Sequence, residues 1–477
     1  MAQTDQECGC YLEVSKFRDF HSIDYDGSQD ATVDNDFTLK TTATDLMPDT
    51  QYFYRWRVVF NPPSVFSDVG TFKTAPSETQ AVNVKFSWSG DTDSSPTKLD
   101  PNPFFGNWDA LRAAQSENPN FFIYLGDTIY SDMRAAGSGH SPSPAKTLPE
   151  FRQLYKDARG FALLQSLLRS TSIYALWDDH EVQNDWSGQT IDRNIYRIGK
   201  QAFNEYMPIT EYQGEPSDPY CAGSPDPTQF RVKHWGKNID LIMLDTRSCR
   251  SDNAQKICGG NNPDPAPMLP DTDRATFGLK PTDPKCRAAI LDPNRIMLGQ
   301  KQLKTFTDAL EHSTAKFKFV VSSVNMQQTL VLPYDSWEGY AAERSKILNF
   351  IYQKGIKNVI FLSTDSHLNL MGGVYARTPT GLVKVADEFV TGPIGARTDK
   401  VFLESLPKSI CKISCLAAKE AILTSVGVGC RNLDTYSYGS VVYTESTGSL
   451  TITLKDKNGN VVKDDLKPSV TCTKTFP

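Results

Sequence analysis

Histidine is scarce in this chain, with six among 477 residues. So little imidazole, together with the absence of any C-x-x-C pair, argues against structural zinc. No run of about eighteen apolar residues occurs, so no segment is expected to cross a membrane as a helix. Neither sign of charge dominates: Lys plus Arg total 50 and Asp plus Glu 56, for a net charge of −6. That mild acidity excludes a broad electrostatic footprint for DNA, RNA or anionic lipid, and nucleic acid is not expected as a stable partner. The first five residues lack the basic and apolar regions of a signal peptide. No N-x-S/T glycosylation acceptor occurs. Glycine (30) and proline (29) are used ordinarily, and 39% of residues are apolar and 22% charged. A collagenous, coiled-coil or wholly disordered chain is thereby excluded.

The length exceeds one ordinary core and predicts two domains, one large and one small. Ten cysteines are present: Cys8, Cys10, Cys221, Cys249, Cys258, Cys286, Cys411, Cys415, Cys430 and Cys472. Their even number and polar, loop-like surroundings predict disulfides and an oxidising compartment. A secreted, extracellular protein is expected, in its mature form since a leader is missing, and working as a monomer.

Residues 1–78 alternate with period two between turn signals, at Tyr11–Val14, Phe37–Thr42, Gln51–Val59 and Val69–Lys73. The stretch Leu46-Met47-Pro48-Asp49-Thr50-Gln51-Tyr52-Phe53-Tyr54 reads as a turn feeding a strand. It resembles the L-x-P-x-T-x-Y-x-Y corner of fibronectin-type-III-like modules, which implies a small β-sandwich. Such modules carry two more strands ahead of this corner, which implies that the sequence begins mid-domain. Residues 72–79 read as the linker.

From Val82 onward strands alternate with helices. Apolar strands are expected at Val82–Ser89, Phe121–Leu125, Ile173–Trp177, Ile239–Leu244, Lys318–Ser322 and Val359–Leu362. Helices are expected at Trp108–Gln115, Leu148–Arg169, Asp192–Tyr206, Leu298–His312 and Glu338–Gly355. This is an α/β pattern, whose ligand site lies where strands end. Residues 246–297, rich in Pro, Asp, Asn and Gly and holding three cysteines, read as a long stapled loop. Cys411 and Cys415 flank a short helix-like stretch, and Tyr438–Tyr443 with Ser449–Leu454 read as a closing hairpin.

Polar residues gather directly after four of these strands: Ser89-Gly90-Asp91-Thr92-Asp93, Gly126-Asp127-Thr128-Ile129-Tyr130, Asp178-Asp179-His180-Glu181 and Ser363-Thr364-Asp365-Ser366-His367. One Asp after a strand commonly caps the next helix. Four such ends together would crowd negative charges that repel and raise each other's pKa, so cations are needed to hold them. A dinuclear metal site is the economical explanation.

The order G-D-x-x, G-D-x-x-Y, D-H-E and D-x-H resembles the calcineurin-like metallophosphoesterases. Within them, Trp177-Asp178-Asp179-His180-Glu181-Val182, Leu244-Asp245-Thr246-Arg247 and Glu388-Phe389-Val390-Thr391-Gly392-Pro393 resemble the PhoD-type alkaline phosphatase and phospholipase D family. The resemblance implies a metallophosphoesterase α/β sandwich over residues 79–477, preceded by the fibronectin-III-like sandwich over residues 1–78. It implies that Asp127 bridges two metals, with Asp91, Tyr130 and His367 completing a first site similar to the iron site of purple acid phosphatases. Asp179 and Asp365 would hold the second metal. A phenolate and a nitrogen suit Fe³⁺; an all-oxygen shell suits Ca²⁺, Mg²⁺ or Mn²⁺ better than Zn²⁺. His180 would serve as transition-state stabiliser or general acid.

The sequence also departs from the family pattern. A cysteine is usual at the end of the first strand, where this chain has Asp91-Thr92-Asp93, leaving Asp93 as an extra ligand or a ligand's partner. A histidine is usual at the second metal, where this chain has Asn325, readable as an amide-oxygen ligand or a loop cap. Arg247 is readable as a bidentate phosphate binder or as the partner of Asp245 or Asp252. The leading expectation is hydrolysis of a phosphate ester; the alternative is a phospholipase D-like diesterase. A reading from another class, a secreted binding protein with an inert phosphatase-like domain, would show no bound metal.

Overall fold

The apolar segments that alternate with helices in the sequence form the centre of two facing sheets. The computed structural model describes residues 1–59, 64–94, 106–132, 144–209, 217–406, 415–425 and 428–477. One sheet has the order Ser172–Leu176, Phe121–Leu125, Val84–Ser89, Ser437–Thr444, Ser449–Asp456, Thr473–Phe476. Its first three strands are parallel and the rest antiparallel. The other runs Arg231–Trp235, Ile239–Met243, Phe317–Val321, Val359–Ser363, Gly381–Val390, Asn369–Thr378, Cys430–Asn432, parallel from Ile239–Met243 through Gly381–Val390.

Alternation along each strand makes two interiors. Phe86, Trp88, Ile123 and Leu125 face Leu241, Met243, Phe319 and Val321 between the sheets, where Phe86 and Phe319 meet edge to face at 5.1 Å. On the outer side of the first sheet, Phe122 and Tyr124 pack under Asp109–Ser116 and Ala162–Ser170. Across the second, Ile242, Val320 and Phe361 pack under Gln300–His312 and Ala341–Lys354. The result is helix, sheet, sheet, helix. Strands covered on both faces need no polar alternation, which is why they read as unbroken apolar runs.

Where expectation and structure differ, local conformation explains it. The single helix expected over 148–169 is two, Leu148–Gly160 and Ala162–Ser170, broken at Phe161, whose backbone is extended (φ −76°, ψ 124°). The helix expected over Glu338–Gly355 is Ala341–Lys354 and begins after a 3₁₀ turn, Trp337–Tyr340. Strands Arg231–Trp235, Asn369–Thr378, Gly381–Val390, Cys430–Asn432 and Thr473–Phe476 escape the sequence reading because they mix polar and apolar residues. Residues 246–297 contain two short helices, Asp271–Thr276 and Pro284–Ile290, stapled by Cys258–Cys286 and tied near their start by Cys221–Cys249. The stretch between Cys411 and Cys415 lies outside the described residues, which resume with helix Cys415–Ser425.

Near the N-terminus, Tyr25–Ala31, Cys8–Ser15, Gln51–Val58, Val65–Phe66 and Gly70–Lys73 form an antiparallel sheet, and Ala2–Gln3 pairs with Thr38–Leu39. The Tyr52 hydroxyl accepts the Met47 N–H at 3.0 Å across the corner noted in the sequence. This layer is fastened to the rest by Lys40, whose ammonium donates to the carbonyls of Asn204 and Ile209.

Among the described residues no cysteine is free. Cys430–Cys472 joins the two central sheets across 42 residues, whereas Cys8–Cys10 closes a separation of 2 within one strand. Loop-closure entropy grows with that separation, so Cys430→Ser with Cys472→Ser should cost about 4 kcal/mol and Cys8→Ser with Cys10→Ser about 1 kcal/mol. Denaturant titration checks this; equal losses would show that strain rather than chain entropy sets the values.

Candidate metal centre

Four strands of the facing sheets deliver their last residues to one end of the molecule, and there the chain turns sharply. Asp91, Asp127, Asp365 and His367 all sit in the left-handed region, with φ of 61°, 49°, 64° and 51°. Such conformations cost about 1–3 kcal/mol each and persist where surroundings over-determine them. The glycines before two of them have a separate cause. A Cβ on Gly90 would lie 2.3 Å from the Leu125 carbonyl oxygen, and one on Gly126 2.6 Å from the Asp178 Cβ.

Two buried glutamates lock these ends together. Glu181 accepts from the Thr128 N–H and hydroxyl at 2.5 and 2.6 Å and from the Asp178 N–H at 2.8 Å, joining the second and third strand ends. Burial pushes its pKa up to about 7. Glu388 accepts from the Met326 and Gln327 N–H groups and the Ser363 hydroxyl at 2.7, 2.5 and 2.7 Å, fixing the loop that carries Asn325.

The carboxylates so placed form overlapping groups. Ligand atoms of Asp91, Asp127 and His367 lie within 4.8 Å of one another; so do those of Asp127, Asp179 and His180, and those of Asp178, Asp179 and Asp365. Asp127 belongs to two of these groups. The Tyr130 hydroxyl donates to His367 Nε2 at 3.1 Å, and its ring stacks on His180 at 4.2 Å. His367 Nδ1 donates to the Arg397 carbonyl at 2.5 Å, so Nε2 is the nitrogen turned to the acids. Asn325 accepts from the Ser366 hydroxyl at 2.8 Å and donates to the Gln327 carbonyl at 2.7 Å. Asp93 is buried but stands outside these groups; its charge acts on Tyr130.

The donor set fits cations. Asp91 Oδ2, Asp178 Oδ2 and Asp179 Oδ1 are buried with no hydrogen-bond partner, a costly state for a carboxylate oxygen. Burial, then mutual repulsion, pushes Asp91, Asp127 and Asp365 well above the usual carboxylate range. Burial works against ionisation of Asp179 too, but the charges of Arg247 and His180 outweigh it and lower its pKa. Burial would lower His180, yet Asp179 and Asp132 raise it to about 10. His367, chiefly through burial, falls to about 4.

Arg247 is corrected by the structure. Its side chain is 0% exposed, and it donates from Nε to Asp178 at 2.6 Å and from its two terminal nitrogens to Asp335 at 2.9 and 2.6 Å. Neither Asp245 nor Asp252 receives its guanidinium, and a group with no exposed surface is not free to grasp phosphate; it is a buried countercharge. Arg250 reinforces it on Asp335 at 2.5 Å. Sequence reading also missed Asp132, which accepts His180 Nδ1 at 2.7 Å. Asp178 lay beside the expected ligand and Asp132 two residues past Tyr130, yet no pattern distinguished them.

These residues open into a cleft of about 620 Å³ lined by Asp127, Tyr130, Asp179, His180, Asp365 and His367. Other parts of its lining, Val331, Leu332, Phe402 and Leu403, belong to one apolar cluster.

Residues 95–426 match the family model described as PhoD-like phosphatase, and residues 2–76 its N-terminal-domain model. Alkaline phosphatase D of Bacillus subtilis is 26% identical over 378 residues, covering 74% of this chain and 57% of that protein. The chain therefore spans little more than half the length of this curated relative. A solved structure of PhoD superposes with a TM-score of 0.71 at 21% identity, over 94% of this chain and 80% of the other. A purple acid phosphatase from yellow lupin seeds superposes at 0.54 with 10% identity, over 98% and 69%. Both superpositions extend over nearly the whole of this chain.

Because the folded pKa values of Asp91, Asp127 and Asp365 exceed their unfolded values, their contribution to metal-free stability is complete below about pH 4 and lost as pH rises through the folded values. Bound cations remove that loss. The gap in Tm between metal-loaded and chelator-treated protein should therefore widen by several degrees from about pH 5 to about pH 8. A gap of zero at both would show that no cation is held here.

Proposed function

This chain belongs to the PhoD-like phosphatase family, and we propose that it is a metal-dependent hydrolase of phosphate esters, acting as an alkaline phosphatase. The observation that carries the proposal is Asp127, shared by two ligand groups at the head of one cleft. The residues that would hold Fe³⁺ are Asp91, Asp127, Tyr130 and His367; Asp127, Asp179, Asn325 and Asp365 would hold Ca²⁺, with Mg²⁺ or Mn²⁺ as substitutes. When bound, such cations offset phosphoryl charge and bring the pKa of an attacking water from about 15.7 toward ~7.

The protein's own part is positional and acid–base. Asp132 occupies His180 Nδ1, leaving Nε2 as the nitrogen that gives its proton to the departing oxygen. The Tyr130 ring, stacked on the imidazole, fixes its plane. A diester is the second reading, favoured by the apolar part of the lining, which would receive a second, apolar substituent. The disulfides, and the absence of any described helix long and apolar enough to cross a membrane, support a secreted protein. Residues 1–78 and 79–477 are proposed as its two domains.

Asp127→Asn should lose bound metal and turnover together, because one neutral amide cannot replace a shared carboxylate. His180→Ala should keep its metal and lose roughly 10²–10⁴-fold in turnover of alkyl phosphates, and much less with 4-nitrophenyl phosphate, whose leaving group needs little protonation. Metal analysis beside kinetics decides: if His180→Ala strips the metal, His180 is itself a ligand. The iron assignment has its own readout, since a tyrosinate on iron absorbs visible light. Tyr130→Phe should bleach the iron-loaded protein with its fold intact, and colourless, active wild-type protein holding no iron would refute the assignment.

A further inference from the structure

We propose that Arg397 is the residue that binds the anionic phosphoryl group of the substrate in this cleft, an assignment that rests on the phosphoesterase reading above. Six aspartates line the cleft: Asp127, Asp179, Asp185, Asp335, Asp365 and Asp399. A phosphate ester entering between them needs cationic donors of the protein's own as well as any bound ions. Four basic side chains share the lining: His180, His367, Arg397 and Lys419. Three are committed, His367 through the Arg397 carbonyl at Nδ1 and the Tyr130 hydroxyl at Nε2. His180 is held on Asp132 at 2.7 Å, and Lys419 stands 3.0 and 2.9 Å from the two oxygens of Asp399, both side chains being 7% exposed. Arg247, the arginine singled out by sequence, is spent on Asp178 and Asp335 beneath the site.

Arg397 differs from all of these. It is half-buried, and among the described residues its guanidinium has no carboxylate partner. It lies over the Phe402 ring, 4.9 Å from the centroid. Such a platform restrains the guanidinium while leaving its edge donors available for the paired oxygens of a phosphoryl group.

Its backbone is held by the metal-ligand candidates themselves. The Arg397 carbonyl accepts His367 Nδ1 at 2.5 Å. Just before it, the Ile394 N–H donates to the Gly90 carbonyl at 3.0 Å, the Gly395 N–H to the Asp91 carbonyl at 3.0 Å, and the Asp93 N–H to the Gly395 carbonyl at 2.9 Å. The segment is thereby bonded to the first and last of the four strand ends. A donor set in place before the ligand arrives loses little freedom on binding. The carbonyl orients a metal ligand and the side chain is free for the anion, so the two roles of Arg397 separate by mutation.

The test uses the metal-loaded protein, with inorganic phosphate as the probe in calorimetry and 4-nitrophenyl phosphate in kinetics. Arg397→Gln should weaken phosphate at least about tenfold and raise KM more than it lowers kcat, with metal content unchanged; Arg397→Lys, keeping charge without the fork, should fall between. Phe402→Leu, which removes the platform and leaves the arginine, should weaken phosphate about threefold. Phosphate affinity within twofold of wild type in Arg397→Gln overturns the proposal and leaves the phosphoesterase reading standing if turnover persists. Loss of metal in Arg397→Gln overturns it in favour of a purely structural role through His367. Metal-loaded wild-type protein that neither binds phosphate nor hydrolyses esters overturns the phosphoesterase reading itself.

Discussion

Like charges buried side by side are the constraint on which this structure turns. Asp91, Asp127, Asp178 and Asp179 are each at most 2% exposed, and they occupy the ends of three neighbouring strands of one sheet. No hydrophobic effect gathers carboxylates; the strands gather them, and their repulsion must be met by something else. Arg247 meets part of it, close to Asp178, Asp179 and Asp365 at 2.6, 3.7 and 3.8 Å. The Oδ2 atoms of Asp91 and Asp178, which have no hydrogen-bond partner, are the remainder, and cations are the natural complement to them.

The scaffold is arranged to carry that load. Removing one partner from a buried ion pair leaves an uncompensated charge and costs several kcal/mol, so Arg247 and Asp335 are coupled to the centre although neither need touch substrate. Glu181 and Glu388 act differently. They spend their oxygens on backbone N–H groups, converting loose strand ends into fixed ones. The close approach at Gly90 and Gly126 belongs to the same packing, since a Cβ at either would run into the neighbouring strand end.

The legible parts of the sequence were those governed by local chemistry. Strands such as Phe121–Leu125 stood out because both faces are covered, and the four strand-end clusters stood out because carboxylates, histidines and glycines fall at fixed places after such runs. The helix break at Phe161 was hidden, as Leu148–Gly160 and Ala162–Ser170 each keep an apolar face. Strands Asn369–Thr378 and Gly381–Val390 were hidden because they draw their stability from pairing with each other and with the strands beside them, which no single segment displays.

What was hidden in the site follows the same division. A polar residue at a strand end is placed by its own segment, so Asp91, Asp127, Asp179 and His367 could be picked out after their strands, and the family resemblance supplied their expected roles. A countercharge or a positioning acid is placed by another segment altogether. Arg247 reaches Asp335 across 88 residues, His180 reaches Asp132 across 48, and the Arg397 carbonyl meets His367 across 30. Arg247 shows how this misleads: an arginine two residues past an aspartate invites a local partner, whereas the fold offers it a deeper and more crowded group of acids. The electrostatic cost of the centre is common to all strand ends, and so its compensation is drawn from the whole chain rather than from the motif that creates it.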